Sequence, residues 1–214
     1  MTPKAVLFDC DGVVVDSEGP TFLMFQEEFA AAGLRVTLHD LETNWVGATA
    51  EGLAARARTL GATLPPDWVA GFYDRLNARL AQGVLLIPGI LAVLDRLDAA
   101  SIPYAMGSNG PMAKMAVTLG QHGLVERFGG HVYSGQALGA PKPAPDVYLH
   151  AARALGVDPA DCVVIEDSAS GALAARAAGI PCFGYAPHAV NPALVAAGAR
   201  IFTDMGDLPG LLGL

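Results

Sequence analysis

Seven residues have the types and spacing for chemistry: Asp9 and Asp11, Ser108 and Asn109, Lys142, and Glu166 with Asp167. Two acids separated by one residue on extended chain lean the same way, while the residue between them, Cys10, faces elsewhere. One acid can then attack a substrate while the other moves a proton. Four carboxylates in one crevice cannot all be ionised without a compensating cation, because like charges raise one another's pKa. Oxygen-only donors select a hard ion, and magnesium fits best, since it keeps waters and substrate phosphate among its ligands. Ser108, Asn109 and Lys142 suit the oxygens of a phosphoryl group. The expected chemistry is attack of Asp9 on phosphorus, giving an aspartyl-phosphate. Asp11, protonated at first, donates to the leaving oxygen and then activates water.

Each of these residues follows a short apolar run. Runs rich in β-formers occur at 5–8, 102–106, 131–133, 162–165 and 181–185, with helical stretches at 90–100, 111–121, 145–155 and 169–178. Strands alternating with helices predict parallel βαβ units and a doubly wound, Rossmann-like α/β sheet. Ligands of such sheets bind at the carboxyl ends of the strands, where the seven residues fall. The alternation fails between about 19 and 82, where only helical patterns occur, including the stripe Phe22, Phe25 and Phe29. An all-helical insertion over 18–83 is expected, interrupting a core made of 1–17 and 84–214. The aromatic stripe reads as its core.

With 214 residues, 52% of them hydrophobic, the chain can bury a sizeable core. A formal charge of −8 points away from nucleic acid and anionic membranes. No apolar run is long enough to span a bilayer, and the N-terminus lacks a secretory signal. Cys10, Cys162 and Cys182 are odd in number and lack metal-type spacing, so a reduced cytoplasmic protein is expected. The five histidines show no ligand-like pairing. Arg56, Arg58, Arg75 and Arg79 are the clustered cations of the insertion, either an exposed helix face or a substrate entrance.

The motifs Asp9-Cys10-Asp11-Gly12-Val13 with Asp16-Ser17-Glu18, Gly107-Ser108-Asn109-Gly110, Lys142-Pro143-Ala144-Pro145-Asp146 and Ile165-Glu166-Asp167-Ser168 occur in that order. Nearly the whole chain thereby resembles the haloacid dehalogenase superfamily, in the branch with a helical cap after the first motif that includes β-phosphoglucomutase and phosphoglycolate phosphatase. The resemblance implies Asp9 as nucleophile and metal ligand, Asp11 as acid/base with its backbone carbonyl on magnesium, and Ser108 and Lys142 on phosphate. It also implies that Glu166, directly or through water, and Asp167 complete the metal site. Ser108-Asn109-Gly110-Pro111 with Lys114-Met115, Ser134-Gly135 and the Lys142-Pro143 segment is further similar to bacterial phosphatases assigned to 6-phosphogluconate.

Departures from the family narrow the expectation. Where β-phosphoglucomutase carries basic residues in a cap loop, this chain reads Trp45-Val46-Gly47-Ala48-Thr49-Ala50. No lysine lies between Lys4 and Lys114 to form the Schiff base of the phosphonate-cleaving relatives, and the acids that dehalogenases lack are present. A phosphatase of small phosphorylated metabolites, sugar phosphates or sugar-acid phosphates, is expected, as a monomer or weak homodimer. Mutase-type transfer and a non-catalytic phosphometabolite sensor are the alternatives.

Overall fold

The computed structural model describes residues 2–45, 49–188 and 190–214. Its strands are β1 (Ala5–Phe8), β2 (Val15–Asp16), β3 (Leu85–Leu86), β4 (Tyr104–Ser108), β5 (Val132–Ser134), β6 (Cys162–Glu166), β7 (Cys182–Tyr185) and β8 (Arg200–Phe202). The helices are α1 (Glu18–Ala31), α2 (Leu38–Asn44), α3 (Ala50–Thr59), α4 (Trp68–Leu80), α5 (Ile90–Ala99), α6 (Met112–Gly120), α7 (Leu124–Arg127), α8 (Asp146–Ala154), α9 (Ala169–Ala177), α10 (Pro192–Ala196) and α11 (Leu208–Leu212). Among the described residues no helix is long and apolar enough to cross a membrane.

The expected doubly wound sheet is present, parallel throughout, with strand order β5-β4-β1-β6-β7-β8. All four residues of β1 are buried, as a strand covered on both faces requires. Alternation assigns them to two cores. Ala5 and Leu7 pack with Val147, Tyr148 and Ala151 of α8 and Ala174 of α9, whereas Val6 and Phe8 belong to the cluster containing Val93 and Leu97 of α5 and Met115 and Leu119 of α6. The chain goes from β1 to β4 and β5 on one side, then crosses to β6 on the other. The strand-order switch therefore lies at the carboxyl end of β1.

The second sheet strand begins at Tyr104, later than the periodicity of 102–106 indicates, because Pro103 has no N–H for the ladder and contributes only its carbonyl, 3.1 Å from the Val6 nitrogen. Ser108 is thereby the last strand residue, paired with Ser134. The sheet also has an edge strand, β8, that the sequence reading omitted. Three residues carry too little period-two signal to be recognised.

The 19–82 stretch holds α1 to α4, and its two connections to the sheet form an antiparallel ribbon pairing Val15 with Leu86 and Asp16 with Leu85. Phe25 stacks on Phe72 at 4.3 Å between ring centroids and Phe72 on Trp68 at 4.8 Å. Phe22 and Phe29 are buried beside them, so the helical stripe is packing surface. The return segment is tied down by Gln121, which donates to the Leu80 carbonyl at 3.0 Å and accepts from the Val84 nitrogen at 3.2 Å.

Candidate active site

The ladder brings the first pair of acids to the ends of their neighbours. Phe8 pairs with Met106 on one side and Ile165 on the other, and the Asp9 nitrogen donates to the Ile165 carbonyl at 2.9 Å. Asp9 thus emerges beside Glu166. The chain then turns tightly, with Val14 and Val15 both donating to the Cys10 carbonyl at 2.9 and 3.0 Å. Gly12 has φ +75°, and a Cβ there would stand 1.9 Å from Asp167 Oδ2. Only glycine lets the acids of two motifs approach so closely. Cys10 is fully buried, and burial pushes its thiol well up, which leaves it inert.

Lys142 Nζ donates to Asp9 Oδ1 at 2.7 Å and to Glu166 Oε1 at 2.6 Å, with the lysine and Glu166 both buried. Glu166 Oε1 also accepts from Tyr148 at 2.8 Å, and Oε2 accepts from the Asp167 and Ser168 nitrogens and the Ser168 hydroxyl at 3.1, 3.0 and 2.8 Å. A Cβ on Gly171 would fall 1.7 Å from Glu166 Oε1, so the first turn of α9 has room for this carboxylate only because it lacks a side chain. Ser168 serves twice. It holds Glu166, and as N-cap of α9 it accepts from the Gly171 nitrogen.

Ser108 is buried, its hydroxyl accepting from the Gly110 nitrogen at 2.9 Å. Asn109 has both ends of its side-chain amide on the Lys142 backbone: Nδ2 donates to the carbonyl at 3.1 Å and Oδ1 accepts from the nitrogen at 2.7 Å. The asparagine side chain clamps the lysine loop against the end of β4. Asp11 receives the Lys114 ammonium at 2.6 Å on Oδ1, the oxygen that also accepts from the Ser17 hydroxyl.

Charge is unevenly settled in this cluster. Burial raises the pKa of every acid, but for Glu166 the charge and hydrogen bond of Lys142 outweigh it, and for Asp11 those of Lys114 do; both lie below the usual carboxylate range. Asp9 is raised to about 7 by burial and by Glu166. Glu18 is raised to about 8 by burial and by Asp11, and Asp167 well up by burial and by Glu18. Two lysines favour the ionised forms of Glu166 and Asp11, whereas Asp9, Glu18 and Asp167 hold their protons to higher pH than ordinary carboxyls, a crowding that a bound cation would relieve. Oxygens of Asp9, Glu166 and Asp167 lie within 4.8 Å of one another. This all-carboxylate donor set fits a hard divalent ion.

A cavity of about 100 Å³ opens over these groups, lined by Asp9, Asp11, Ser108, Asn109, Lys142 and Asp167 below and by Phe22, Trp45, Phe72 and Tyr73 of the helical insertion above. Glu166 lies beneath the lining. All seven sequence-predicted residues therefore converge on one place.

A family model for haloacid dehalogenase-like hydrolases matches residues 3–179. The chain belongs to the haloacid dehalogenase-like hydrolases. It is 30% identical over 210 residues to 6-phosphogluconate phosphatase of Escherichia coli (strain K12), covering 97% of this chain and 94% of that one. It is 31% identical over 195 residues to phosphoglycolate phosphatase of Xylella fastidiosa, covering 89% and 85%. A crystal structure of a haloacid dehalogenase family hydrolase from Deinococcus radiodurans R1, with bound phosphate and sodium, superposes with a TM-score of 0.79 at 37% identity, covering 99% of this chain and 96% of that one. This hydrolase is a phosphatase, a phosphoric monoester hydrolase.

The hydrolase site contains residues to which sequence reasoning gave no role. Ser17 and Glu18 stand in the first motif, and Lys114 and Tyr148 on helices, yet none has a spacing that predicts a contact. Lys114 did carry a signal: it is a lysine on an otherwise apolar helix face, with Met115, Thr118 and Leu119 buried alongside it. The four clustered arginines of the insertion have other partners. Arg75 pairs with Glu28 at 2.7 Å, Arg79 with Glu27 at 2.9 Å, Arg58 donates to the Pro65 carbonyl at 2.7 Å, and Arg56 lies 4.4 Å over the Trp45 ring. None of them lines the cavity. The stretch compared with the mutase loop falls partly on 46–48, outside the described residues.

Proposed function

We propose that this hydrolase is a magnesium-dependent phosphatase of small phosphorylated metabolites working through an aspartyl-phosphate on Asp9. The observation that carries this reading is Lys142 bridging Asp9 and Glu166 beside Asp167, with Asp11 at the other side of the same cavity. Asp9, Asp167 and the Asp11 backbone carbonyl would hold the magnesium. Glu166, both of whose oxygens already accept from protein donors, would act through a water. Bound there, the ion supplies charge neutralisation between nucleophile and phosphate.

The chain's own groups account for the rest. Lys142 holds Asp9 by one oxygen and, with Ser108, faces the phosphoryl oxygens. The other Asp9 oxygen attacks phosphorus as the bond to the leaving alcohol breaks, and Asp11 hands that alcohol a proton. In the second half-reaction Asp11 takes a proton from water as the water oxygen attacks phosphorus and frees Asp9. The charge and hydrogen bond of Lys114 lower the pKa of the Asp11 carboxyl. Its first proton then arrives with the phosphomonoester, whose second ionisation lies near ~6.

Residues 18–83 act as a cap domain whose inner face meets the leaving group. Sugar phosphates and sugar-acid phosphates, 6-phosphogluconate first, head the panel because a relative bears that name. The protein is cytoplasmic on this reading, a monomer or weak homodimer. Arg58, Arg75 and Arg79 are occupied by partners outside the cavity lining and Arg56 packs on Trp45 without lining it, which counts against a mutase that must grip a second phosphate. Purified protein is expected to hydrolyse p-nitrophenyl phosphate with magnesium and to lose this activity in Asp9→Asn; no turnover, or turnover indifferent to the substitution, sinks the reading. Conversion of β-glucose 1-phosphate to glucose 6-phosphate would favour the mutase instead.

A further inference from the structure

The chain has three lysines, and two of them, Lys142 and Lys114, are buried at the cavity. Lys114 stands on a face of α6 that is otherwise buried through Met115, Thr118 and Leu119. An ammonium placed there must be desolvated, a cost that methionine or leucine would avoid, and a buried ion pair is seldom a gain in stability over an apolar contact. The position is explained by what it holds. Lys114 Nζ lies 2.6 Å from Asp11 Oδ1, and the Ser17 hydroxyl donates to that same oxygen from the N-cap of α1. The second oxygen, Oδ2, is turned toward the segment after β4, 3.6 Å from the point a Cβ on Gly110 would occupy.

We propose that Lys114, together with Ser17, is a positioning residue that grips Asp11 by Oδ1 and so presents Oδ2 to the leaving oxygen. The inference rests on the phosphatase reading above. In the first half-reaction the Asp9–phosphorus bond forms, the bond from phosphorus to the leaving oxygen breaks, and the proton on Asp11 Oδ2 moves to that oxygen. In the second, the water oxygen bonds to phosphorus, the Asp9–phosphorus bond breaks, and one water proton returns to Oδ2. A carboxylate free to rotate about its side-chain torsions would spend part of its time aimed away from both events.

The test exploits leaving-group stability. p-Nitrophenolate departs without a proton, whereas phenolate needs one, and the two esters differ little in shape. Because kcat/KM reports the first half-reaction, Lys114→Met is expected to lower it ~10²-fold for phenyl phosphate, the usual scale of acid catalysis, and far less for p-nitrophenyl phosphate. Inhibition by inorganic phosphate should stay unchanged, Lys114→Arg should recover much of the loss, and Lys114→Met should add nothing in an Asp11→Asn background. Equal losses on both esters, no loss on either, or a weakened phosphate inhibition would overturn the proposal. So would a wild-type enzyme that hydrolyses only p-nitrophenyl phosphate, since it would lack acid assistance. If Lys114→Met fails to fold, Ser17→Ala reads the same ratio through the other partner of Oδ1. A wild type inactive on both esters removes the phosphatase reading, and this inference with it. Activity with the wrong ratio removes this inference alone.

Discussion

The floor and the roof of the cavity are built from opposite materials. Below, the ends of β1, β4 and β6 supply acids together with Ser108 and Ser168, while α6 and the loop before α8 supply Lys114 and Lys142; above, α1, α3 and α4 present Phe22, Phe25, Leu53 and Phe72. The floor carries chemistry that any phosphate monoester needs, and its groups are held by the parallel ladder. In the proposed function the roof would meet the part of the substrate that differs from one ester to the next, and its apolar side chains can be exchanged without disturbing a hydrogen bond. On the proposed reading, reaction belongs to the sheet and selectivity to the insertion.

The contrast breaks most sharply if the floor tolerates change. Asp9→Asn is expected to reduce kcat by ~10⁴-fold or more, as loss of a nucleophile does, measured with saturating magnesium. Lys142→Ala should lower kcat by ~10²–10³ and destabilise the fold by about 3–5 kcal/mol in denaturant titration, because it strands Asp9 and Glu166 without their buried partner. In the roof, Phe72→Ala should cost stability of similar size, ~3–5 kcal/mol, while kcat on p-nitrophenyl phosphate falls by much less than for either floor variant. A comparable loss of kcat would erase the distinction.

A weaker effect sharpens it through pH. Asp9 has a folded pKa of about 7 against an ordinary 3.8, and Glu18 about 8 against 4.5. Between those values the unfolded chain has shed protons that the folded chain keeps, so metal-free stability falls as pH rises from about 4 to about 8. Magnesium at a hundredfold its dissociation constant adds ~2.7 kcal/mol, ~5–10 °C in Tm for a chain of this size. At equal magnesium the shift in thermal melts should be larger at pH 8 than at pH 6, since fewer protons must be displaced; a shift that shrinks with pH would place the ion elsewhere. Smallest of all, Arg75→Ala breaks an exposed pair with Glu28 and should cost under ~1 kcal/mol with KM unaltered.

Much of the floor was legible in the sequence because most of its residues end or follow a strand, and a strand end is a one-dimensional signal. Asp9, Asp11, Ser108, Asn109, Lys142, Glu166 and Asp167 could be placed at one crevice without coordinates. Lys114, Ser17, Glu18 and Tyr148 could not be given contacts, since they arrive from helices and the loop entering α1, whose reach depends on how those elements pack. Asn109 shows the limit within a motif: its type suits a phosphate, but the fold spends its side-chain amide on the Lys142 backbone.

By itself the sequence determined the alternation of strands and helices, the helical interruption and the order of the four motifs, all consequences of local periodicity and covalent spacing. Tertiary structure alone decided which acids keep their charge, because that depends on the two buried ammonium groups, one at Asp9 and Glu166 and the other at Asp11. Electrostatic energy in a low-dielectric interior varies with distance over a few ångströms. Lys114 is more than a hundred residues from Asp11 along the chain and 2.6 Å from it in space.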